Sequence, residues 1–471
     1  MSEVSPILAG ERPEYSSIDK ELVSTKQEFT YILSASFPLI VAFLLQFLLP
    51  VTSIFACGKL GSTELAACSL AICTFNITGL SVYQGMATSL DSLCSQAFGQ
   101  NKPHNVGLYF QRCSLMMLTV TVFPLSFIWW YSGAILTFLV KDGELALMCQ
   151  DFLRVSILAA PALVFMETGK RFLQAQHLYN VSLYILLIAC PLNIILNWVL
   201  VWHPTLGLGF IGASWSIVII FWFICLMMLL YVCFIDGKQC WGGFEPRNAF
   251  SNWIPILQLA VPGVVMVMAE YLAFEVLTIL AAYFGTDALA AQSISSTVGS
   301  LSFQLPFAVS VAFLTRIGHF VGLRNVDAAI TVVRLSIIFA AIVGIFNFSS
   351  IILGRSVFSS IFTDSDPVKK ISNHILILVG INQLSDSVNV LAAGVLRGQG
   401  RQRIGSILNL TAYYLVALPI GYILAFVFGW EIYGLWCGLL VGVFFLASSQ
   451  VILICKSNWN DILIEALERH A

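Results

Sequence analysis

Residues 269–284, AEYLAFEVLTILAAYF, place two carboxylates, Glu270 and Glu275, inside a run that is otherwise apolar. No basic residue occurs between Arg247 and Arg316, so neither acid has a cationic partner within its own segment. An ionised carboxylate is costly in hydrocarbon, and such residues therefore face a cavity, find a partner or bind a proton. The stretch predicts a membrane helix that brings acids to an internal site.

The composition of the whole chain agrees with this prediction. Of its 471 residues, 58% are hydrophobic and 10% are charged, whereas about a quarter of the residues of a soluble domain are charged. Since a membrane-spanning helix needs about 20 apolar residues, we predict an all-α integral membrane protein with twelve transmembrane helices. The predicted spans are 29–56, 63–89, 107–130, 144–168, 178–202, 209–235, 251–283, 288–314, 327–352, 368–396, 403–428 and 432–456.

The two halves of the chain repeat each other. Pro38 and Pro262 are 224 residues apart, and Gly99 and Gly322 are 223 apart. An ordered series of such matches indicates an internal duplication. Because each half has six spans, the repeats are parallel and enclose a central cleft. We therefore predict two pseudo-symmetric six-helix lobes (29–235 and 253–456), a cytosolic linker (236–252), and cytosolic tails at both ends (1–28 and 457–471).

The basic residues predict the orientation in the membrane. With both termini in the cytosol, 17 of the 23 Lys and Arg residues fall on the cytosolic side and 6 on the other. This is the asymmetry that the positive-inside rule describes. We interpret Arg397, Arg401 and Arg403 as anchors of this topology that contact anionic lipid. The membrane is expected to be the plasma membrane or the vacuolar membrane.

Several stretches resemble the multidrug and toxic compound extrusion (MATE) family, in its eukaryotic branch. They are SLDSLCSQAFGQ (89–100), QAQ (174–176), PLNIILNW (191–198), AEYLAFEV (269–276) and, longest of all, DSVNVLAAGVLRGQGRQRIG (386–405). The resemblance implies two six-helix lobes that form a V. It also implies export of organic, often cationic, compounds, coupled to inward movement of protons or sodium.

The resemblance also implies which residues couple transport to an ion. Glu275 matches the acid of the family's seventh helix, Glu270 matches a second acid found in eukaryotic members, and Asp386 matches the acid of the tenth helix. Two further acids of some members are absent, because Thr297 and Ser53 stand near their positions. The carboxy-terminal lobe is therefore expected to carry the proton or cation coupling.

The spacing of the two glutamates raises a geometric question. Five residues along an α-helix turn through about 500°, so Glu270 and Glu275 point about 140° apart. We expect that one cavity cannot easily receive both unless the helix bends or is wide open to water, so that one is the working acid and the other caps a polar pocket. Glu167 precedes Lys170 and Arg171 by three and four residues, which predicts a pairing on one helix face near the cytosolic surface.

Amide side chains within the predicted spans are candidates for substrate binding. Asn382 and Asn389 lie close to the helix face of Asp386. Such a polar stripe either lines the site or joins helices by hydrogen bonds. The candidates are Gln46, Asn193, Gln292, Asn382 and Asn389.

We predict a secondary active antiporter that exports organic, cationic or amphiphilic compounds in exchange for protons by alternating access. A sodium-coupled exporter and a lipid-linked precursor flippase are the alternatives. A membrane-embedded enzyme or scaffold is disfavoured, since no nucleophile constellation occurs and the duplication would be unexplained. We expect no metal, no cofactor, no ATP site and no nucleic-acid partner. The expected partners are a small organic substrate, a proton or sodium ion and membrane lipid, and the protein is expected to be a monomer.

Overall fold

The computed structural model of the chain describes residues 24–139 and 143–470. The predicted amino-terminal tail lies outside the described residues as far as residue 23. Among the described residues, twelve helices are long and apolar enough to cross a membrane, which confirms the predicted fold class. They are α1 (Thr25–Gly58), α2 (Ser62–Gly99), α3 (Pro103–Trp130), α4 (Gly143–Ala175), α5 (Asn180–Trp202), α6 (Phe210–Phe234), α7 (Ile254–Phe284), α8 (Thr286–Gly322), α9 (Val326–Phe362), α10 (Asp366–Gly398), α11 (Gln402–Val427) and α12 (Glu431–Cys455).

The second helix runs well past its predicted end. The prediction ended this span at residue 89, whereas α2 continues to Gly99. The added turns contain Asp91 and several Ser and Gln residues, which lower the local hydropathy. Their side chains are nevertheless buried, because they pack against other helices rather than lipid. The predicted end of this span therefore marks the point where the surroundings of the helix change from lipid to protein, and not the end of the helix.

Three apolar clusters hold the helices together. The first is built almost wholly from α1–α6 and the second from α7–α12. The third joins the two halves, because it packs Ile32 of α1 with Phe313 of α8 and Phe339 of α9. We call the end of the molecule that holds this third cluster, together with Gly99 and Gly322, the closed end.

The two halves approach closely at a pair of glycines in the closed end. A Cβ atom on Gly99 would lie 3.1 Å from the Cα of Gly322, and one on Gly322 would lie 3.0 Å from the Cα of Gly99. Each would also collide with a backbone carbonyl of the opposite half. These glycines are the ones that match in the sequence repeat, so the duplication has placed equivalent residues face to face.

Gly322→Val is expected to weaken the contact between the halves. Inserting methyl groups into a close-packed contact costs about 1–3 kcal/mol, and the clash here is with backbone, which has little freedom to move aside. Faster hydrogen–deuterium exchange of residues 95–102 and 319–325 would report the separation. Gly143→Ala is the control, because nothing lies within 4 Å of its added Cβ. Exchange equal to that of the unaltered protein would contradict this prediction.

The two polar segments that join or follow the halves are both ordered against the helices. In the linker, the side chain of Gln111 on α3 donates a hydrogen bond of 2.8 Å to the carbonyl of Gly243. Burial raises the pKa of the linker thiol Cys240 to about 12. The carboxy-terminal tail contains α13 (Trp459–Arg469), an amphipathic helix that buries Ile462 in the third cluster. The linker is thus held against α3, and α13 is held against the third cluster at the closed end.

Candidate functional site: a cavity between the two halves

A cavity of about 620 Å³ lies between the two halves of the molecule. Helices α1, α2, α7, α8 and α10 supply most of its lining. The lining is largely apolar, and its aromatic residues include Phe43, Phe47, Phe274, Phe303, Phe307 and Trp436. Pockets of roughly 300–1,000 Å³ bind drug-sized molecules, so this cavity can hold one such compound.

Both glutamates of α7 line this cavity, which the spacing allowed only for a bent helix or a wide opening. The lining residues of α7 form two adjacent rows, Met266, Glu270 and Phe274 in one, and Val267, Tyr271 and Glu275 in the other. At about 100° per residue these rows span roughly half of the helix circumference. Glu270 and Glu275 therefore lie near opposite edges of one broad exposed face. The cavity receives both because it is wide, and no bend of the helix is needed.

The third predicted acid, Asp386, lies on α10 and lines the same cavity. Its Oδ1 accepts a hydrogen bond of 3.3 Å from Nδ2 of Asn389, its neighbour one turn away. Glu270 and Asp386 interact electrostatically, whereas Glu275 lies farther along α7, where its Oε2 is 3.7 Å from Sγ of Cys73 on α2. The structure thus brings the three predicted acids into one site.

The predicted substrate-binding amides divide into two groups. Gln46, Asn382 and Asn389 line the cavity. The other two lie outside its lining and join helices instead. Asn193 donates to the carbonyl of Leu49 at 3.0 Å and to Thr52 Oγ1, and Gln292 accepts a hydrogen bond of 2.8 Å from Nε1 of Trp436. Further amides that we did not single out do line the cavity, namely Asn76, Gln84, Gln304, Gln383 and Asn409.

A buried cluster of five charged residues lies between the cavity and the closed end. It runs as a chain of ion pairs, and every member is at most 5% exposed. Lys170 Nζ is 2.6 Å from Glu167 Oε1, and Arg171 Nη1 is 3.6 Å from Glu167 Oε2. Arg171 Nε is also 3.2 Å from Asp91 Oδ1, and Asp91 Oδ2 is 3.5 Å from Arg397 Nη1. We name these residues the charged floor, since Arg171 and Arg397 line the cavity.

Two interpretations of the sequence change with this cluster. Glu167 does pair with Lys170 and Arg171, but the pair is fully buried rather than near the surface. Arg397 is not a lipid anchor, because it is 4% exposed and bound to Asp91. Of the other two arginines, Arg401 donates to Ser457 and only Arg403 is exposed. Asp91 was missed because it lies beyond the predicted end of its span.

A second ion pair joins the halves at the closed end. Arg316 of α8 contacts Glu28 of α1 through two hydrogen bonds, at 2.8 and 2.5 Å. Its guanidinium lies over the ring of Tyr31, whose hydroxyl is 2.8 Å from Nδ1 of His177. Burial and the nearby Arg316 lower the pKa of His177 to about 4, so this histidine is neutral at physiological pH.

Within residues 24–139 and 143–470, no three or more His, Cys, Asp and Glu side chains are grouped so that they could hold a metal ion. The carboxylates of the cavity can bind protons or an organic cation, and its aromatic rings can enclose an apolar body.

A known family profile matches each half of this chain separately. The sequence profile described as MatE matches twice, over residues 38–199 and 262–423. The two matches are 224 residues apart, the offset already seen between Pro38 and Pro262. They agree with the predicted duplication.

Similar proteins span almost the whole chain. An uncharacterized transporter of Saccharomyces cerevisiae is 40% identical over 94% of this chain, which spans 64% of that relative's length. Multidrug and toxin extrusion protein 2 of Mus musculus is 31% identical over 94% of this chain and 77% of its own length. The crystal structure of the eukaryotic MATE transporter AtDTX14 covers 94% of this chain and 99% of its own, with 26% identity and a TM-score of 0.89.

Proposed function

This chain belongs to the MATE family of efflux transporters, and we propose that it is a secondary antiporter that exports organic compounds in exchange for protons by alternating access. The proposed substrates are cationic or amphiphilic, and the name of the mouse relative refers to drugs and toxins. The cavity lies between the two halves of one chain, and the proposed functional unit is the monomer.

One observation carries the proposal: Glu270, Glu275 and Asp386 line the same apolar, aromatic cavity. Low polarity and neighbouring like charges both disfavour several ionised carboxylates at once. Such a group is stabilised either by protons or by an organic cation. Because each ligand weakens the binding of the other, their competition amounts to antiport by thermodynamic linkage.

The polar contacts to the substrate are proposed to come from Gln46, Asn382 and Asn389, which line the cavity beside the acids. Asn193 and Gln292 are left out of this set, because their amide groups are used in bonds between helices.

The closed end is proposed to face the cytosol. Lys102, Arg324, Arg401 and Lys456 follow the ends of α2, α8, α10 and α12 there, and basic residues are enriched on the cytosolic side of membrane proteins. In this orientation the contacts at the closed end lie between the cavity and the cytosol. Both the plasma membrane and the vacuolar membrane fit this orientation.

A flippase for lipid-linked phosphates is less well supported. Three carboxylates in the cavity repel a phosphate group. The two guanidiniums of the lining, Arg171 and Arg397, are already paired with Asp91. Sodium coupling differs from proton coupling only in the ion that the carboxylates bind, so it is separated by experiment.

Purified protein in liposomes is expected to accumulate a dye-like organic cation when a pH gradient is imposed, and not when the gradient is collapsed with an ionophore. Protein-free liposomes provide the background. A sodium gradient at equal pH on both sides is expected to drive no uptake; uptake in that arm alone would assign the coupling to sodium. Uptake that responds to neither gradient would refute the antiport proposal.

A further inference from the structure

The charged floor is unevenly divided between the two halves. Asp91, Glu167, Lys170 and Arg171 all come from the amino-terminal half, on α2 and α4, whereas Arg397 alone comes from the carboxy-terminal half. The four residues of the amino-terminal half contain two carboxylates and two cations, so they balance one another. Arg397 is therefore the one member whose charge has no balancing partner within the floor once the halves are apart.

The contact that holds Arg397 also belongs to the closed end. Its backbone carbonyl accepts a hydrogen bond of 2.6 Å from Ser92 Oγ, and the next carbonyl, of Gly398, accepts one of 3.0 Å from Gln96 Nε2. Gln402 donates to Ser92 Oγ at 2.7 Å from the same side. Opening this end to admit substrate breaks these bonds and the ion pair to Asp91 together.

A lone guanidinium in the membrane needs a new anion. Its remaining contacts include no anion, since Nη2 is 3.4 Å from Ser310 Oγ, the guanidinium lies 5.6 Å from the ring centre of Phe307, and Nε has no hydrogen-bond partner. Within its own half, Arg397 and Glu270 line the same cavity and interact electrostatically. Removing one partner of a buried ion pair is strongly unfavourable unless another group replaces it. Glu270 is the carboxylate placed to do so.

We propose that Arg397 is a positioning residue that exchanges partners, from Asp91 when the closed end is shut to Glu270 when it opens. As a deepening of the antiport mechanism, this rests on the proposed function. With Arg397 held by Asp91, Glu270 is free to carry a proton. After the halves part, Arg397 attracts the ionised form of Glu270. The exchange thereby favours release of the proton on the side to which the closed end opens.

The exchange predicts that opening of the closed end depends on pH through Glu270. Glu270 faces Asp386 and Arg397 of α10, Tyr271 of its own helix and Tyr413 of α11. The contact between Arg397 and Asp91 faces Glu167, Lys170 and Arg171 of α4. Nearby at the same end, Glu28 is bound to Arg316. His177 and His319 pack ring against ring there, but His177 stays neutral because of its low pKa.

Hydrogen–deuterium exchange of the purified full chain tests this proposal without requiring transport. Protection of residues 92–102 and 395–403, corrected for intrinsic exchange, is measured at about pH 6 and about pH 8. Buried carboxyl groups can change protonation state between these two values. The unaltered protein is expected to open more often at the higher pH. Glu270→Gln is expected to abolish this dependence, and Arg397→Gln to exchange rapidly at both values.

Three variants serve as controls. Arg403→Gln removes an exposed arginine from the same segment and should behave like the unaltered protein. Arg397→Lys keeps the charge but loses the planar fork, and intermediate exchange is expected even if the glutamine form folds poorly. His319→Gln should retain the pH dependence, which separates the glutamate from the histidine pair.

Two outcomes overturn the exchange of partners: retention of the pH dependence in Glu270→Gln, or protection in Arg397→Gln equal to that of the unaltered protein. Loss of the dependence in Glu270→Gln, with rapid exchange in Arg397→Gln, supports it. The antiport proposal is judged separately by liposome uptake. Absence of gradient-driven uptake alongside the expected exchange pattern would overturn antiport while leaving the partner exchange standing.

Discussion

Asp386→Asn is expected to lower gradient-driven uptake of an organic cation by roughly 5–150-fold, which corresponds to the loss of about 1–3 kcal/mol of coupling free energy. Asparagine has nearly the same shape and keeps the hydrogen-bonding contact to Asn389, but it binds no proton and has no charge to attract a cation. Asp386 lines the cavity and interacts electrostatically with Glu270. Its removal therefore breaks the competition between proton and substrate without emptying the cavity.

The measurement is the initial rate of uptake into liposomes under an imposed pH gradient. Asp366→Asn is the matched control, because it makes the same change at the exposed beginning of the same helix, α10. Elution of both variants as single folded species establishes that the comparison concerns transport. A rate for Asp386→Asn equal to that of the control would exclude Asp386 from the coupling.

Glu167→Gln is expected to reduce the free energy of unfolding by about 3–5 kcal/mol, the cost of removing one partner from a buried ion pair. Glu167 is 0% exposed and contacts Lys170 at 2.6 Å and Arg171 at 3.6 Å. Without its charge the floor would hold three cations and the single carboxylate of Asp91. The fraction of folded protein that remains after heating in detergent, followed by size-exclusion chromatography, measures the loss.

Asp151→Asn provides the comparison for this stability prediction. Asp151 also pairs with an arginine on its own helix, Arg154, at 3.7 Å, but both side chains are exposed, at 61% and 37%. Exposed pairs of this kind contribute about 0–1 kcal/mol. The temperature at which half of this control variant remains folded should therefore stay close to that of the unaltered protein. Equal midpoints for the two variants would show that the ion pairs of the floor do not stabilise the fold.

Much of the fold was predictable because the membrane imposes a simple rule on the sequence. A helix that crosses lipid must be apolar for about 20 residues, and that requirement can be seen without any neighbour. The same rule made the acids of the seventh and tenth helices conspicuous. An isolated carboxylate in such a run is expensive, and Glu270, Glu275 and Asp386 all line the cavity.

The rule failed where a helix is surrounded by protein rather than lipid. Ser92 and Gln96 are polar, yet they are buried against the opposite half, where they hydrogen-bond to its backbone. Asp91 lies in the same turns, so hydropathy placed it outside the membrane span. A signal was available in Lys170 and Arg171, two adjacent cations with one nearby carboxylate, which together require a second acid from elsewhere in the chain.

The sequence by itself determined the helical fold, the duplication at an offset of 224 residues and the presence of acids within membrane helices, where an unpaired charge is costly. Only the tertiary structure decided which polar groups share a space. Asn193 and Gln292 form hydrogen bonds between helices and do not line the cavity. Arg397 forms an ion pair with Asp91, a residue about 300 positions away in the sequence. The physical reason is that hydropathy is a property of each segment, whereas the partner that stabilises a buried charge is set by packing between segments distant in the chain.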